Sequence, residues 1–351
     1  MTGTSLDGLD AAVVAIKGNG LAMRVDLVDQ VAVPLPAELS RDLRAMAEQV
    51  PRTTGDIAWT LAAFTRFHLE SLLPLAKRRV IDLVAVHGQT VFHAPPLSWQ
   101  AFAPAPLAHG LGVPVVCDLR AADLADGGQG APITPLADLI LFGHPHERRV
   151  VVNLGGFCNI TRLPPGREPS AVGGGDVCAC NQILDAVARQ VLGLPYDRDG
   201  RRAWAGATRR AAVDDLVERL DAQSKLGRSL GTGDELTAWI DAHSDEAPDD
   251  LARSACAAIA AVIATAAKSG GAPQRLIVAG GGVRNKALIF ELAHRAGCPV
   301  TLSDDLGTPA TLREAMAMAV LGALCQDGVP ITLSQITGAE RPSRAGLWCL
   351  P

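Results

Sequence analysis

The stretch Val150-Val-Val-Asn-Leu-Gly-Gly-Phe-Cys-Asn-Ile-Thr-Arg-Leu-Pro-Pro-Gly166 decides the fold class. It contains two short apolar runs, Val150–Leu154 and Phe157–Leu163, separated by Gly155-Gly156 and followed by Pro164-Pro165-Gly166. Glycine and proline pairs at these places are turn signals. Two apolar strands joined by a tight glycine turn predict an antiparallel hairpin.

A similar order of elements occurs near the amino terminus. There Ala11–Ile16 is an apolar run, Gly18-Asn19-Gly20 is a turn signal, and Leu21–Val33 alternates loosely as a returning strand. A second correspondence links Ile81–Val86, which ends in His87-Gly88, with Leu276–Ala279, which ends in Gly280-Gly281-Gly282. The chain therefore shows the pattern of a duplicated plan.

Helical patterns fill the intervals between these strands. They cover Thr54–Leu73 (with a predicted end at Pro74), Gln182–Leu192, Asp250–Lys268 and Leu312–Leu324, whereas 197–250 shows no clear pattern. Strands alternating with helices indicate the α/β class, and the hairpins indicate mixed sheets. At about 150 residues per domain, 351 residues suit two lobes. We predict one lobe from 1–125 with 310–351, a second from 126–309, and a cleft between them.

Composition excludes several classes of protein. The 32 basic and 37 acidic residues give a formal net charge of −5, which argues against nonspecific nucleic-acid binding. The apolar run Cys256–Ala267 is shorter than the ~20 residues of a membrane span, and no leader pattern follows Met1. The eight cysteines lack the spacing of a disulfide framework. We expect a cytoplasmic protein with neither a nucleic-acid nor a membrane partner.

Glycine turns indicate a phosphate-binding site that lacks the common phosphate-binding motifs. No stretch matches the P-loop pattern or a G-x-G-x-x-G fingerprint after a strand. Instead, separate glycine turns lie at 3–8, 155–156, 173–175 and 280–282, where backbone N–H groups can approach an anion closely. Their placement in both halves favours a nucleotide held between two lobes. Polar side chains at predicted strand ends, His87, Gln89, Thr90, Arg120 and Asp123, are candidates for binding a second ligand.

Seven motifs together resemble one family. In chain order they are Gly3-Thr-Ser-Leu-Asp-Gly-Leu-Asp10, His87-Gly-Gln-Thr-Val-Phe-His93, Asp118-Leu-Arg120 with Asp123, Gly127-Gly-Gln-Gly-Ala-Pro132, Asn153-Leu-Gly-Gly-Phe-Cys-Asn-Ile-Thr161, Gly280-Gly-Gly-Val-Arg-Asn285 and Gln335-Ile-Thr-Gly-Ala339. In this order they resemble the anhydro-N-acetylmuramic acid kinases of the actin-like sugar kinase superfamily. The resemblance implies two RNase H-like lobes and a homodimer.

The resemblance also implies a reaction. The family uses ATP and Mg²⁺ to phosphorylate O6 of 1,6-anhydro-N-acetylmuramic acid while water attacks C1 and opens the anhydro bridge. The product is N-acetylmuramic acid 6-phosphate, an intermediate of cell-wall sugar recycling. This chemistry requires a carboxylate that takes a proton from water and donors that hold the γ-phosphate in line with O6.

Roles follow from the resemblance, position by position. Asp176 matches the general base, and Asp7 matches a Mg²⁺ partner acting through water. The implied ATP and phosphate contacts are Gly3, Thr4, Ser5, Leu6, Asp7, Gly8, Leu9, Asp10, Gly155, Gly156, Gly280, Gly281, Gly282 and Asn285. The implied sugar contacts are His87, Gln89, Thr90, Arg120, Asp123 and Glu314, and an arginine fork suits the lactyl carboxylate.

The sequence departs from the family pattern in three places. The family motif Asp-Thr-Gly-Pro-Gly-Asn reads Asp176-Val-Cys-Ala-Cys-Asn181, so the expected loop at 177–180 lacks the glycines that a positive φ favours. An apolar strand usually precedes the first glycine loop, so we expect an exposed sheet edge beside Ala11–Ile16. The family's Gly-Asp is missing near Ala101–Ala103. Two alternatives follow: a sugar-binding or regulatory homologue with impaired turnover, and a kinase of a different sugar.

Overall fold

The structure is a computed structural model that describes residues 1–3, 6–225, 230, 234 and 236–351. The chain divides into two compact units, Met1–Leu141 with Leu312–Pro351, and Phe142–Thr311. The predicted lobes differ from these units mainly because the prediction assigned residues 126–141 to the second lobe, whereas the structure places them, up to Leu141, in the first unit. These residues join the first unit because Asp138 forms a buried ion pair with Arg313 and Gly130 N–H donates to Asp123.

The first unit begins with strands and helices of widely different lengths. In chain order they are β1 (Gly8–Lys17), β2 (Arg24–Pro34), α1 (Ala37–Ala47), α2 (Thr54–Arg78), β3 (Val84–Ala85), β4 (Gln89–Ala94), β5 (Leu97–Ala101), α3 (Ala105–Leu111), β6 (Val115–Cys117), α4 (Ala121–Ala125) and α5 (Pro135–Phe142, whose last residue belongs to the second unit). β1 and β2 form the predicted hairpin, and Gly18 and Gly20 in its turn have φ of 83° and 53°. That part of the sequence prediction is confirmed.

The second unit is built around one five-stranded sheet. Its elements are β7 (Arg149–Leu154), β8 (Phe157–Leu163), β9 (Gly173–Ala179), α6 (Asn181–Gln190), α7 (Arg201–Ala205), α8 (Arg210–Ser224), α9 (Ala238–Ala242), α10 (Pro248–Lys268), β10 (Arg275–Ala279), α11 (Lys286–Ala296) and β11 (Val300–Leu302). The sheet order is β11-β10-β7-β8-β9; β7, β8 and β9 are antiparallel, and β10 and β11 are parallel to β7.

The chain then returns to the first unit through α12 (Arg313–Gln326), α13 (Ser334–Thr337) and β12 (Leu347–Cys349). β12, β6 and β3 form a three-stranded sheet in that order, in which β12 is antiparallel and β3 parallel to β6. Both units therefore combine parallel and antiparallel strands with helices. The α/β class with mixed sheets is confirmed.

Helix α2 extends beyond its predicted end. The prediction placed the end at Pro74, yet the helix continues to Arg78. A proline inside a helix removes one backbone hydrogen bond. Here the continuation is stabilised because Leu75 is buried and Arg78 forms a salt bridge with Asp29. Tertiary contacts thus outweigh the local helix-ending signal.

Helix α10 forms the core of the second unit. It packs against α6, α7, α8 and α11, and most of its side chains are buried. By length and composition α10 could also cross a membrane, but 78% of its most apolar 18-residue segment is buried within the protein. Its hydropathy is therefore that of a core helix. The stretch 197–250, which shows no clear pattern in the sequence, contains α7, α8 and α9. Its side chains Leu216 and Trp239 are fully buried.

Candidate active site

The turn Gly155-Gly156 lies against the amino end of α6. Gly156 O accepts hydrogen bonds from the backbone N–H of Cys180 at 2.9 Å and of Gln182 at 3.1 Å, and Gly155 O accepts from Asn181 N–H at 3.1 Å. The first N–H groups of a helix need such acceptors because they have no partner within the helix. The turn is thereby held rigidly at the positive end of the helix dipole, a favourable position for an anion.

The glycine turn at 280–282 packs against the carboxyl end of β7. Gly280 has φ of 86°, and a Cβ there would lie 2.7 Å from Asn153 Oδ1 and 2.8 Å from Leu154 O. A Cβ at Gly282 would lie 2.7 Å from Leu154 Cβ. Only glycine fits at either place. The two predicted phosphate-binding turns of this unit, 155–156 and 280–282, are thus brought together around the end of one strand.

Asn181 links these two turns. Its Nδ2 donates to Leu154 O at 3.0 Å, and its Oδ1 lies 3.0 Å from the position that a Cβ of Gly282 would take. Asn285, predicted to contact the nucleotide, caps α11. Its Oδ1 accepts from Leu288 N–H at 3.0 Å, and its Nδ2 contacts Cys256 Sγ at 3.6 Å. The geometry gives Asn285 a role in holding the helix that follows the glycine turn.

Asp176 lies on β9, opposite Asn159 of β8. Its side chain is half-buried, and its Oδ2 accepts a hydrogen bond from the backbone N–H of Leu230 at 2.8 Å. Asp176 does not cap α6, because Cys180 precedes that helix and the helix has no side-chain cap. Asp176 is therefore a carboxylate fixed on a sheet strand of the same unit as the two glycine turns.

The expected loop at 177–180 is a strand end. Val177, Cys178 and Ala179 belong to β9, and their side chains, like that of Cys180, are buried. None of the four has a positive φ, so glycine is not required there. The expectation that cysteine would strain this backbone is wrong. Burial raises the pKa of the Cys178 thiol to about 12 and makes it an apolar, unreactive group.

The first glycine loop is described only in part, since Thr4 and Ser5 lie outside the described residues. Gly3 O accepts from Leu6 N–H at 3.2 Å, and Leu6 has φ of 54°. Leu6 and Leu9 are buried and anchor the loop, whereas Asp7 is exposed. A Cβ at Gly8 would lie 2.9 Å from Val33 O, so close packing against β2 explains that glycine.

Three carboxylates influence one another beside this loop. Burial raises the pKa of Asp10; the amino group of Met1 opposes this shift, and the charges of Asp7 and Glu314 add to it. These effects place Asp7, Asp10 and Glu314 in one acidic neighbourhood. Across the described residues, no set of three or more His, Cys, Asp or Glu side chains is arranged to enclose a metal ion. Such a neighbourhood suits Mg²⁺, which keeps several waters and binds one or two carboxylates together with substrate phosphates.

His87 and Arg120 form one rigid unit near the ends of β3 and β6. Both Nε and Nη2 of Arg120 donate to His87 Nε2, at 3.3 and 2.9 Å, and Arg120 Nη1 donates to Gly130 O at 2.6 Å. Burial, and secondarily the charge of the Arg120 guanidinium, lowers the pKa of His87 to about 3. The imidazole is therefore neutral, with its Nδ1 proton donated to Gly88 O at 2.9 Å.

The remaining predicted sugar contacts divide into two kinds. Asp123 is fully buried: its Oδ2 accepts from Gly130 N–H at 2.8 Å and its Oδ1 from Thr337 Oγ1 at 2.7 Å. It holds the 127–130 loop in place. Gln89 is buried, and within the described part of the chain its Oε1 has no hydrogen-bond partner. Thr90, the next residue on β4, is half-buried and pairs with Gln100.

Sequence reasoning missed two groups that support Asp176. Gln223 of α8 accepts a hydrogen bond from Ala179 N–H at 2.9 Å and so fixes the end of β9. Leu230 supplies the N–H that holds the carboxylate. Both lie in the polar stretch 197–250, where no periodic signal could have assigned them to the site.

Comparisons with known proteins give a consistent result. The family model described as Anhydro-N-acetylmuramic acid kinase matches residues 1–349. A protein of that name from Salinibacter ruber is 33% identical, with 100% of this chain and 95% of that protein covered. Another from Bordetella pertussis is 37% identical, with 97% and 92% covered.

Solved structures show only weak similarity. Component A of (R)-2-hydroxyglutaryl-CoA dehydratase from Acidaminococcus fermentans is 12% identical with a TM-score of 0.42, over 89% of this chain and 98% of that chain. A ROK family glucokinase from Streptomyces griseus is 16% identical with a TM-score of 0.34, over 89% and 99%. TM-scores this low carry no argument about the site. The family match over nearly the whole chain and the identities above 30% are decisive: this chain belongs to the anhydro-N-acetylmuramic acid kinase family.

Proposed function

We propose that this protein uses ATP to phosphorylate O6 of 1,6-anhydro-N-acetylmuramic acid while water opens the anhydro bridge at C1. The product is N-acetylmuramic acid 6-phosphate. Family membership supports the reaction class. The structural observation that carries the proposal is the packing of Gly155-Gly156 and Gly280–Gly282 around the end of β7, in the unit whose β9 bears Asp176.

The two glycine turns suit the phosphates of ATP. Gly155-Gly156 is held at the amino end of α6, where the helix dipole favours negative charge. At Gly280 and Gly282 a Cβ would clash with the end of β7, whereas a Cβ at Gly281 would meet only Asn181 Nδ2 at 3.9 Å, so a ligand can approach the backbone closely at Gly281. From the first unit, the loop at 3–8 would supply further backbone and side-chain donors, in keeping with the family pattern.

Asp7 would hold Mg²⁺ through water, with Asp10 and Glu314 adding negative charge nearby. When bound, Mg²⁺ would neutralise charge on the phosphates during transfer. Asp7 is exposed and can reach a hydrated ion, whereas Asp10 is half-buried and strengthens the local field. The acidic neighbourhood fits the ion without a closed cage of protein ligands.

Asp176 would act as the general base. It takes a proton from the water whose oxygen attacks C1, and the bond from C1 to O6 then breaks. The electron pair released on O6 attacks the γ-phosphorus, and ADP leaves. The N–H of Leu230 fixes one carboxylate oxygen and so orients the base.

The His87–Arg120 unit would recognise the sugar's lactyl carboxylate. A guanidinium braced by His87 Nε2 and Gly130 O loses little side-chain entropy when it binds an anion. Gln89 would accept a hydrogen bond from a sugar hydroxyl or the acetamido N–H, because its buried Oε1 needs a donor. Asp123 positions the adjoining loop.

Incubation with ATP, Mg²⁺ and 1,6-anhydro-N-acetylmuramic acid, with products identified by mass, tests this function. ATP-dependent gain of both water and phosphate supports the proposal. Sugar binding without turnover would favour the impaired homologue instead. Preferred turnover of another sugar would favour a kinase of a different sugar, the alternative that the missing Gly-Asp near Ala101–Ala103 suggests. From the family resemblance we also infer a cytoplasmic homodimer, which sedimentation and cell fractionation would test.

A further inference from the structure

The hairpin of β4 and β5 places three polar side chains on one face. His93 is directly opposite Ser98 in the register, and Gln100 is two residues from Ser98 on the same strand. Directly opposed residues share a face of an antiparallel pair, and so do residues two apart on a strand. Trp99 and Leu97 lie on the other face, where both are exposed. The face with Ser98 is therefore the polar side of this hairpin.

Ser98 Oγ is the centre of a small hydrogen-bond network on that face. Its hydroxyl donates to Phe92 O at 3.3 Å, and Gln100 Nε2 donates to its oxygen at 2.8 Å. His93 Nδ1 lies 2.8 Å from the same oxygen. A serine hydroxyl has one hydrogen, which Phe92 O accepts, so His93 donates from Nδ1. The imidazole is then the tautomer whose Nε2 carries a lone pair and no hydrogen.

Two acceptors of this network have no donor. Within the part of the chain that the structure describes, His93 Nε2 and Gln100 Oε1 are buried and form no hydrogen bond, and Gln100 as a whole is 8% exposed. Burial, and secondarily the charge of Arg120, lowers the pKa of His93, so its ring is neutral and can accept. Buried acceptors in native proteins nearly always have a donor. What this face needs is a hydrogen-bond donor.

These two acceptors lie beside the His87–Arg120 unit. Helix α4, which directly follows Arg120, packs against β5, and a Cβ at Gly88 would lie 3.2 Å from Gln100 O. Gly88 O in turn accepts the Nδ1 proton of His87. The effect of the Arg120 charge on the pKa of His93 places that side chain in the same neighbourhood. The acceptors therefore adjoin the group proposed to bind the lactyl carboxylate.

The proposed substrate carries hydrogen-bond donors next to its lactyl group. The ring carbon with the lactyl ether has the acetamido N–H on one neighbouring carbon and the 4-hydroxyl on the other. A hydroxyl both donates and accepts, whereas an amide N–H only donates. Because His93 Nε2 and Gln100 Oε1 only accept, a hydroxyl bound here would leave its own oxygen without a donor. The acetamido N–H is the group that fits these acceptors.

We propose that His93 Nε2 and Gln100 Oε1 bind the acetamido N–H of the sugar while Arg120 binds its lactyl carboxylate. One N–H shared between two acceptors forms a three-centre hydrogen bond. Ser98 holds both acceptors in place, and the 4-hydroxyl is left for Gln89. This inference rests on the proposed function, and it makes the two acceptors determinants of specificity for 2-acetamido sugars.

The experiment measures sugar binding by calorimetry without ATP. The probes are the anhydro-sugar and an analogue whose acetamido nitrogen carries a methyl group instead of hydrogen. In the wild-type protein we expect N-methylation to raise the Kd by roughly tenfold, because a hydrogen bond is lost. Gln100→Met should raise the Kd of the unmodified sugar by a similar factor. In that variant N-methylation should cost much less, because an acceptor is already missing.

His93→Phe is the second variant and should behave in the same way, whereas Gln30→Met, at an exposed position on β2, is the matched control. The melting temperature of each variant shows whether it folds. Effects of substitution and N-methylation that simply multiply would overturn the inference, because neither side chain would then bind the nitrogen. An unchanged Kd in both variants would also overturn it and leave a buried water as the partner. A wild-type protein that binds neither sugar would overturn the proposed function as well.

Discussion

At the residue scale, the site depends on a few side chains whose partners fix their geometry. Asp176 is oriented by Leu230 N–H, and the Arg120 guanidinium is braced by His87 and Gly130. Both residues are sequence predictions for the site: Asp176 rests on the family resemblance, and Arg120 rests on that resemblance and on its position after a predicted strand. The sequence could not show that Asp123 is fully buried and accepts hydrogen bonds from Gly130 and Thr337, since Thr337 lies 214 residues away along the chain.

The variant Asp176→Asn tests the base. Asparagine keeps the size of the side chain but cannot take a proton from water, so turnover should fall by about 10²–10⁴-fold. Sugar affinity should change little, because binding depends on groups such as Arg120. Steady-state rates and calorimetric titration with the sugar provide the two readouts. Asp214→Asn, at an exposed position on α8, is the control. Normal turnover in Asp176→Asn would remove Asp176 from the catalytic role.

At the element scale, hairpins and glycine turns were predictable because their signals are local. The strands β7 and β8 occur where the sequence placed them, to within one residue. Three features were not predictable. Helix α2 passes through Pro74 because Leu75 and Arg78 find tertiary partners. Residues 177–180 form a strand end because their side chains fill the core. The helices α7, α8 and α9 carry no clear periodicity in sequence. Tertiary contacts define them: α7 and α8 pack against α10, and Trp239 of α9 donates a hydrogen bond to Ala212 O of α8.

The variant Gly280→Ala tests the nucleotide turn. Its Cβ would clash with Asn153 and Leu154 and displace the turn from β7, so the KM for ATP should rise at least tenfold, about 1.4 kcal/mol in binding. Gly307→Ala is the matched control, because Gly307 has a similar φ of 82° but open space around it. Both variants should lose stability from backbone strain. An unchanged KM in Gly280→Ala would show that this turn does not bind the nucleotide.

At the scale of the whole molecule, each of the two units combines parallel and antiparallel strands with helices and brings polar groups to strand ends. The repeated order of strands and glycine turns predicted two lobes, but the division at Leu141 and Leu312 could not be predicted, because the buried Arg313–Asp138 pair joins distant positions. Buried ionisable groups also make the stability of the whole chain depend on pH. His68 and His87 are the main examples in the first unit.

Acid should destabilise the protein before its carboxylates titrate. Burial lowers the pKa of both His68 and His87 to about 3, whereas the unfolded values lie near 6.5. The unfolded chain therefore binds more protons within this window, and stability falls as pH drops from about 6.5 toward 3. The melting temperature should decline between about pH 7 and pH 5, with a shallower slope in His87→Gln. The exposed His146→Gln is the control. A slope unaffected by His87→Gln would contradict the account.

The central claim is that one reaction adds water to C1 and phosphate to O6. The most direct measurement is the reaction of ATP, Mg²⁺ and the anhydro-sugar in oxygen-18-labelled water, with the product's fragments resolved by mass. We expect one labelled oxygen, located on C1 of the sugar, and an unlabelled phosphate on O6. Label in released inorganic phosphate, with the sugar unchanged, would show hydrolysis of ATP by water and contradict it.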